Sequence, residues 1–283
     1  MKKLYAFDLV ILAYAGILTS VVLVARPAGT AIYLACHAAA VALIALIVRG
    51  HARHGGRFWT FARYWYVVPI VLAAFRELHH LVPEVHPFSD RRYDHLLAAL
   101  DRRWFGDVEG LFSVLPLPMM DLLHLCYGFY FVAMVIPGAA LYVRKEFERL
   151  REYTSVILTA MFLSYLGYLV VPAVGPHHFY SPRPAQLDGW VVGGFLHRAI
   201  MAAEGEMADA FPSGHALLSM VVIAMAWKHH RPSFFAILLP ALGCILATMA
   251  LRYHYVVDVA ASTAIFPGAI LLGVAFHRWR ERS

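Results

Sequence analysis

Apolar residues in this chain gather in runs of about 20, parted by short stretches that hold most of the charge, and runs of that length cross a bilayer core as helices. They fall at roughly 7–25, 30–48, 63–82, 120–143, 153–172, 212–228, 233–250 and 256–276. The pattern predicts an all-α, polytopic transmembrane bundle of about eight spans, since helices satisfy their own backbone where no water is present. Pro137, Pro240 and Pro267 lie inside runs and are expected to kink them. Between Pro83 and Met119 the pattern changes. Tyr93, Leu96, Leu97, Leu100, Trp104 and Phe105 form an apolar stripe opposite Asp94 and Asp101, as in a helix lying in the headgroup layer. Such a helix is either a cover over the bundle or a wall of an entrance to it.

Charge adds an orientation. If every run crosses once, Arg49, Arg53, Arg57 and Arg63 share a side with Arg144, Lys145, Arg149 and Arg151, with Lys228 and Arg231, and with Lys2, Lys3, Arg278 and Arg280 near the termini. Basic loops stay in the cytoplasm, so both termini are expected there and the long stretches 83–119 and 173–211 on the outer side. With 61% hydrophobic and 15% charged residues, the composition excludes an ordinary soluble domain. The net charge of +6 sits in short loops, where it sets orientation, and nucleic acid is not an expected partner. Asp8 interrupts the first run and no small-residue cleavage site follows it, so this run reads as a retained helix. Cys36, Cys126 and Cys244 fall in apolar runs without ligand spacing and read as packing residues.

The chemistry concentrates at Phe211, Pro212, Ser213, Gly214, His215 and Ala216, where a polar loop turns into an apolar run. Proline suits a first helical turn, and small residues at Ser213 and Gly214 leave backbone N–H groups open, a natural seat for phosphate. His215 places a titratable ring beside that seat. A second group follows at Arg252, His254 and Asp258. His254 and Asp258 are four apart, so the carboxylate is expected to hold one ring nitrogen and leave the other as a nucleophile. Arg252 offers a planar cation for phosphate oxygens, and His215 an acid for the leaving alkoxide. Two histidines and one carboxylate suffice for phosphoryl transfer.

Other polar residues carry bland readings beside functional ones. Arg76 and Glu77, toward the outer end of the third run, are either a functional pair or bonded to each other. Asp121 and His124 either line a cavity or form a satisfied buried pair. His79, His80, His86, His177 and His178 lack a compact ligand motif, and no metal is expected. Trp59, Trp65, Trp190 and Trp279 fit interface anchors.

With these residues in view, the chain resembles the type 2 phosphatidic acid phosphatase superfamily, and within it is similar to the branch containing inositol phosphorylceramide synthases. The proline-serine-glycine-histidine signature is matched at Pro212 to His215 and the later histidine-x-x-x-aspartate signature at His254 to Asp258, with Arg252 and Tyr255 in the branch's flanking positions. Leu100 to Gly106 and Val171 to Pro176 are further echoes. The resemblance spans residues 63–276. It implies a six-helix phosphatase-like core, with 1–62 a two-helix extension and 63–283 the catalytic membrane domain. It also implies a phosphohistidine on His254, with His215 as acid and no cofactor. The superfamily's first signature is not met, since proline stands at 176 where it has lysine, and His177 stands where the branch has arginine. Substrate phosphate contacts are therefore sought among Arg252, Ser213, Gly214, His177, His178 and Arg183.

The expected enzyme moves a phosphate or phosphorylated headgroup from a lipid phosphoester to a lipid hydroxyl, with phospholipid donor and ceramide or diacylglycerol acceptor as its partners and no obligate protein partner. A lipid phosphatase using water is the alternative. A transporter is the reading from another class.

Overall fold

The computed structural model describes residues 4–86, 93–180, 183–204 and 208–282. It is built of helices in the order α1 Ala6–Ala25, α2 Thr30–His54, α3 Gly56–Trp65, α4 Val67–Val85, α5 Asp94–Phe105, α6 Val108–Ser113, α7 Leu117–Val143, α8 Phe147–Val170, α9 Pro176–Phe179, α10 Gly193–Glu204, α11 Gly214–His229, α12 Arg231–Ala250 and α13 Val256–Arg282. The all-α membrane bundle expected from the runs is what forms. Among the described residues, seven helices are long and apolar enough to cross a membrane, with α3 and α4 together making one. The eighth expected span becomes α11, only 16 residues. Pro212 and Ser213 stay outside it and it closes at His230, so at 1.5 Å per residue it falls short of a ~30 Å hydrocarbon core. Pro137, Pro240 and Pro267 sit inside uninterrupted α7, α12 and α13.

The central post is α8. Of its apolar window 78% is buried, against 22–39% for the other spans, and it packs on α1, α4, α7, α11 and α13. Tyr14 of α1 stacks on its Phe162, ring centroids 4.1 Å apart. The helix α2 is peripheral, and Cys36 on it is exposed rather than packed. Its Tyr33 and His37 face inward instead. His37 Nε2 meets Glu77 at 2.6 Å while its Nδ1 meets Thr19 at 2.8 Å, and the Tyr33 hydroxyl donates to Glu84 at 3.0 Å. Glu77 therefore takes a partner from another span and not the neighbouring Arg76, because adjacent helical residues point apart.

Polar contacts define two ends of the bundle. At one, the Arg280 guanidinium donates to the Leu4 carbonyl, Arg151 pairs with Glu281, Lys228 with Glu152, and the buried Arg63 with the buried Asp8. Both termini meet there. Lys2 and Lys3 lie outside the described residues. At the other end, His86 bonds the Leu169 carbonyl and α5 lies across the mouth, packed on α13, α6 and α9. The Asp121 carboxylate accepts from the backbone N–H groups of Trp190, Val191, Val192 and Gly193 at 2.8–3.2 Å, anchoring the start of α10. His124 bonds the Leu187 carbonyl at 2.9 Å. Asp121 is thus a satisfied structural group, and His124 fixes the same loop through Nε2 while its buried Nδ1 has no hydrogen-bond partner.

Candidate active site

Ser213 caps α11, its hydroxyl accepting from Ala216 N–H at 3.2 Å, while its own N–H donates to the Asp258 carbonyl at 3.3 Å. It is fully buried. The serine expected to offer an open N–H to phosphate is consumed by capping and by α13, the usual fate of a hydroxyl residue at a helix start. Gly214 follows it, and a Cβ there would run into the Tyr168 hydroxyl. His215 is held in an aromatic clasp. Its ring stacks on Tyr127 at 4.3 Å and lies 4.2 Å from Tyr130, and its Nδ1 is 3.4 Å from the Tyr127 hydroxyl. Its Nε2 is buried without a hydrogen-bond partner.

The second histidine stands on the turn between α12 and α13, where Arg252 takes φ +62°. A non-glycine residue in that region is uncommon and needs outside support. The turn is tied down at many points. His254 N–H donates to Thr248 O at 2.9 Å and Arg252 N–H to Met249 O at 3.0 Å. The N–H groups of Val256 and Val257 donate to the Asp101 carboxylate at 2.8 and 2.7 Å. Tyr255 donates its hydroxyl to Asp94 at 2.9 Å. Tyr253 stacks on Tyr127 at 4.3 Å, and its hydroxyl is 2.7 Å from His197 Nδ1. Tyr127 therefore lies between the His215 ring and the turn carrying His254.

His254 is 6% exposed and Asp258 fully buried. Nδ1 of His254 lies 2.8 Å from the Ala210 carbonyl and 3.5 Å from Asp258 Oδ2. A carbonyl only accepts, so Nδ1 carries the proton and Nε2 is the unprotonated nitrogen. The expected Asp258 bond is thus displaced by a backbone acceptor. His254 lies two residues before α13, off the helix, and Asp258 at the third helical position reaches back to Tyr255 N–H at 2.8 Å as the acidic half of a capping box. The carboxylate remains 3.5 Å from the ring without being its orienting bond.

The His215 and His254 rings are 5.9 Å apart. Each faces a different space. A chamber of about 500 Å³ is lined by His254 and Arg252 with Asp101, Arg102, Ser113 and Gln186. A largely apolar groove of about 340 Å³ runs between α4, α7 and α8, with His215, Gly214 and Asp209 among its lining. Asp209 was not singled out by sequence. Burial pushes its carboxyl up to about 6, against the pull of His254.

The remaining predicted contacts are placed less directly. His177 is 5.2 Å ring to ring from Tyr253 and 4.0 Å from His178. Burial, with His178, His197 and His254 adding to it, holds it well below the usual histidine range, so it is neutral and poorly suited to anchor an anion. Arg183 is turned onto Asp188 and the Leu187 carbonyl. It does not line the chamber because the 3-10 turn Ala185–Asp188 folds its carboxylate back onto the guanidinium. Of the predicted set, Arg252, His254 and His215 with Gly214 converge, Asp258 supports them, and Ser213 and Arg183 are otherwise engaged. Ala210, Tyr127, Tyr253 and His197 complete the site without having been predicted; a lone carbonyl has no side-chain signature, and the other three lie far apart in sequence.

A sequence model of the PAP2 superfamily matches residues 95–272. A PA-phosphatase related-family protein of Dictyostelium discoideum is 28% identical over 130 residues, which is 44% of this chain and 24% of that protein. The alignment thus spans about a quarter of that relative's length. No solved structure matches significantly.

Proposed function

The chain belongs to the PAP2 superfamily, whose chemistry is phosphatase-type phosphoryl transfer on lipid-like substrates, and from that premise we propose that it is a lipid phosphotransferase working through a phosphohistidine on His254. The nearness of the two rings, 5.9 Å apart, with His254 Nδ1 held by a carbonyl and His215 Nε2 buried without a partner, carries the reading. The lone pair of His254 Nε2 attacks phosphorus, the bond to the leaving alkoxide breaks, and His215 supplies the proton that alkoxide takes. An acceptor hydroxyl then gives its proton to His215 and its oxygen to phosphorus, the P–N bond breaks, and both rings are restored. Arg252 holds the phosphate oxygens, and Asp258 offsets the positive charge on the ring.

The acceptor in this proposal is a lipid hydroxyl, and the moving group a phosphorylated headgroup. Two features support it. The chamber beside His254 has room for more than a bare phosphate, and the apolar groove reaches the acid His215, from which a lipid alkoxide leaves and to which a lipid hydroxyl comes. The branch resemblance to inositol phosphorylceramide synthases points the same way. A lipid phosphatase is the second reading, favoured by the polar lining of the chamber, which admits water. We also read residues 1–62 as an addition to a catalytic domain 63–283, both termini as cytoplasmic, and the histidine pair as facing outward.

The deciding experiment gives purified protein in lipid vesicles a labelled phospholipid donor, with and without ceramide or diacylglycerol, beside His254→Ala. A new headgroup-bearing lipid, absent with the variant, is the expected product. Free phosphate alone, also lost in the variant, would establish the phosphatase. Intact donors, or a variant as active as the parent, would overturn the mechanism and bring a transporter forward.

A further inference from the structure

The helix α5 reaches both halves of the site from one face. Asp94 and Asp101 are seven apart and so lie on the same side of it, two turns from each other. Asp94, fully buried, accepts from the backbone N–H groups of Val174 and Gly175 at 2.9 and 3.0 Å and from the Tyr255 hydroxyl at 2.9 Å. Asp101 takes the first two N–H groups of α13, which no intrahelical carbonyl can reach. Between them these carboxylates join the 173–176 loop to the turn that carries Arg252 and His254. That junction is tight, since Gly175 has φ +83° and a Cβ there would strike the Tyr253 carbonyl.

Opposite the carboxylates Leu96 is 54% accessible, and at the C-terminal end of α5 Trp104 is 60% and Phe105 44% accessible, with Arg102 and Arg103 exposed beside them. The helix packs on α13 where that helix begins, Asp101 holding its first two N–H groups, which is the headgroup layer of a bilayer that α13 spans. Apolar and aromatic residues beside arginines are what such a layer accepts, the rings at the acyl boundary and the guanidiniums at phosphates.

We propose that α5 is a clamp held by the lipid surface: Asp94 and Asp101 are positioning residues that set the His254 turn, and Leu96, Trp104 and Phe105 bind the bilayer so that the clamp stays closed. The proposal rests on the function above only for its effect on turnover; the clamp itself is read without it. A loosened turn puts His254 Nε2 out of line with phosphorus while leaving the chamber walls to bind substrate, so the loss falls on kcat rather than KM.

The test is hydrogen–deuterium exchange of the full chain in phospholipid nanodiscs, paired with lipid-transfer or phosphatase kinetics. In Asp101→Asn one acceptor becomes a donor facing an N–H. Amides of 252–257 are expected to exchange at least roughly tenfold faster while α11 and α12 keep their protection, with kcat down about 10- to 100-fold at near-constant KM. Asp94→Asn should free 173–176 as well, and Asp101→Glu, which keeps both acceptors, should recover much of the loss. Leu96→Ser, on the face away from Asp94 and Asp101, should loosen 252–257, and Trp104→Phe should remove fluorescence quenched by brominated lipid. Unchanged protection at 252–257, loss of protection throughout the bundle, a change in KM alone, or quenching indifferent to Trp104 would each overturn the clamp. An inactive parent would count against the proposed function, and exchange would still decide the clamp.

Discussion

The Nδ1 of His254 is closer to the carbonyl of Ala210, at 2.8 Å, than to the carboxylate of Asp258, at 3.5 Å. Orientation and charge, which one carboxylate usually supplies together, come here from two groups. Ala210 is itself fixed, its N–H donating to the Ala173 carbonyl at 2.9 Å, so the ring's tautomer does not depend on Asp258.

Asp258→Asn should therefore be milder than the loss of an orienting carboxylate, which costs ~10⁴-fold when it also scrambles the tautomer. The expected fall in kcat is about 10²-fold at near-constant KM, with the pH profile keeping its shape. Steady-state kinetics with a lipid donor decide it. A fall as deep as that of His254→Ala would mean that Asp258, not Ala210, holds the ring.

Gly214 sits where a methyl group would meet the Tyr168 hydroxyl. Gly214→Ala is expected to destabilise by ~1–3 kcal/mol through overpacking and to displace His215. Tyr168→Phe in the same chain removes the obstructing oxygen and should recover most of the loss. Thermal unfolding in detergent measures both. If the double variant is no better than Gly214→Ala, the clash is not the reason glycine stands there.

Much of this was legible in the sequence because it is local. Span positions follow from run length, and the two histidine groups from a few adjacent letters. What was not legible joins residues far apart or involves backbone. The helix α5 with Asp94 and Asp101 could be read, but Leu97 of its expected apolar stripe is buried on the same side as the aspartates, whose targets lie 80 to 161 residues away. Glu77 was open to pairing with Arg76, since nothing local points to His37, 40 positions earlier. Arg183 was a candidate for phosphate because the fold of the loop onto Asp188 is a matter of turn geometry that composition does not encode. The eighth run was read a little long at α11, where Pro212 and Ser213 precede and cap the helix and do not lengthen it.

Asp8 and Arg63 make a buried pair at 2.5 Å, with the Tyr66 hydroxyl also donating to Asp8 and the guanidinium 4.0 Å above the Tyr5 ring. Removing one member leaves the other charge stranded, and Asp8→Ala should cost about 3–5 kcal/mol. The pair itself need not stabilise the fold. Asp8→Leu with Arg63→Met is expected to be near neutral or better, because no charge is then desolvated. Unfolding midpoints of the three proteins in one detergent give the comparison; a double variant as weak as Asp8→Ala would show that the ionic contact itself holds α1 to α3.

His197 and Asp209 should give stability opposite pH dependences. Burial, with Arg183 and His124 adding to it, pulls His197 from 6.5 down to about 4, so below pH 6.5 the unfolded chain takes a proton that the folded one refuses. That contribution to stability is present above about pH 6.5 and lost as pH falls toward 4. Asp209 is raised from 3.8 to about 6, so the folded chain keeps a proton that the unfolded one has released. Its contribution is fullest below about pH 4 and lost as pH rises through 6. The two effects oppose each other across most of that window. His197→Asn should shrink the gain in unfolding midpoint between pH 5 and pH 7.5, and Asp209→Asn should enlarge it. Midpoints of parent and variants at both pH values test the assignment. If the two variants shift the gain in the same direction, or neither shifts it, burial does not govern these groups in the way their surroundings indicate.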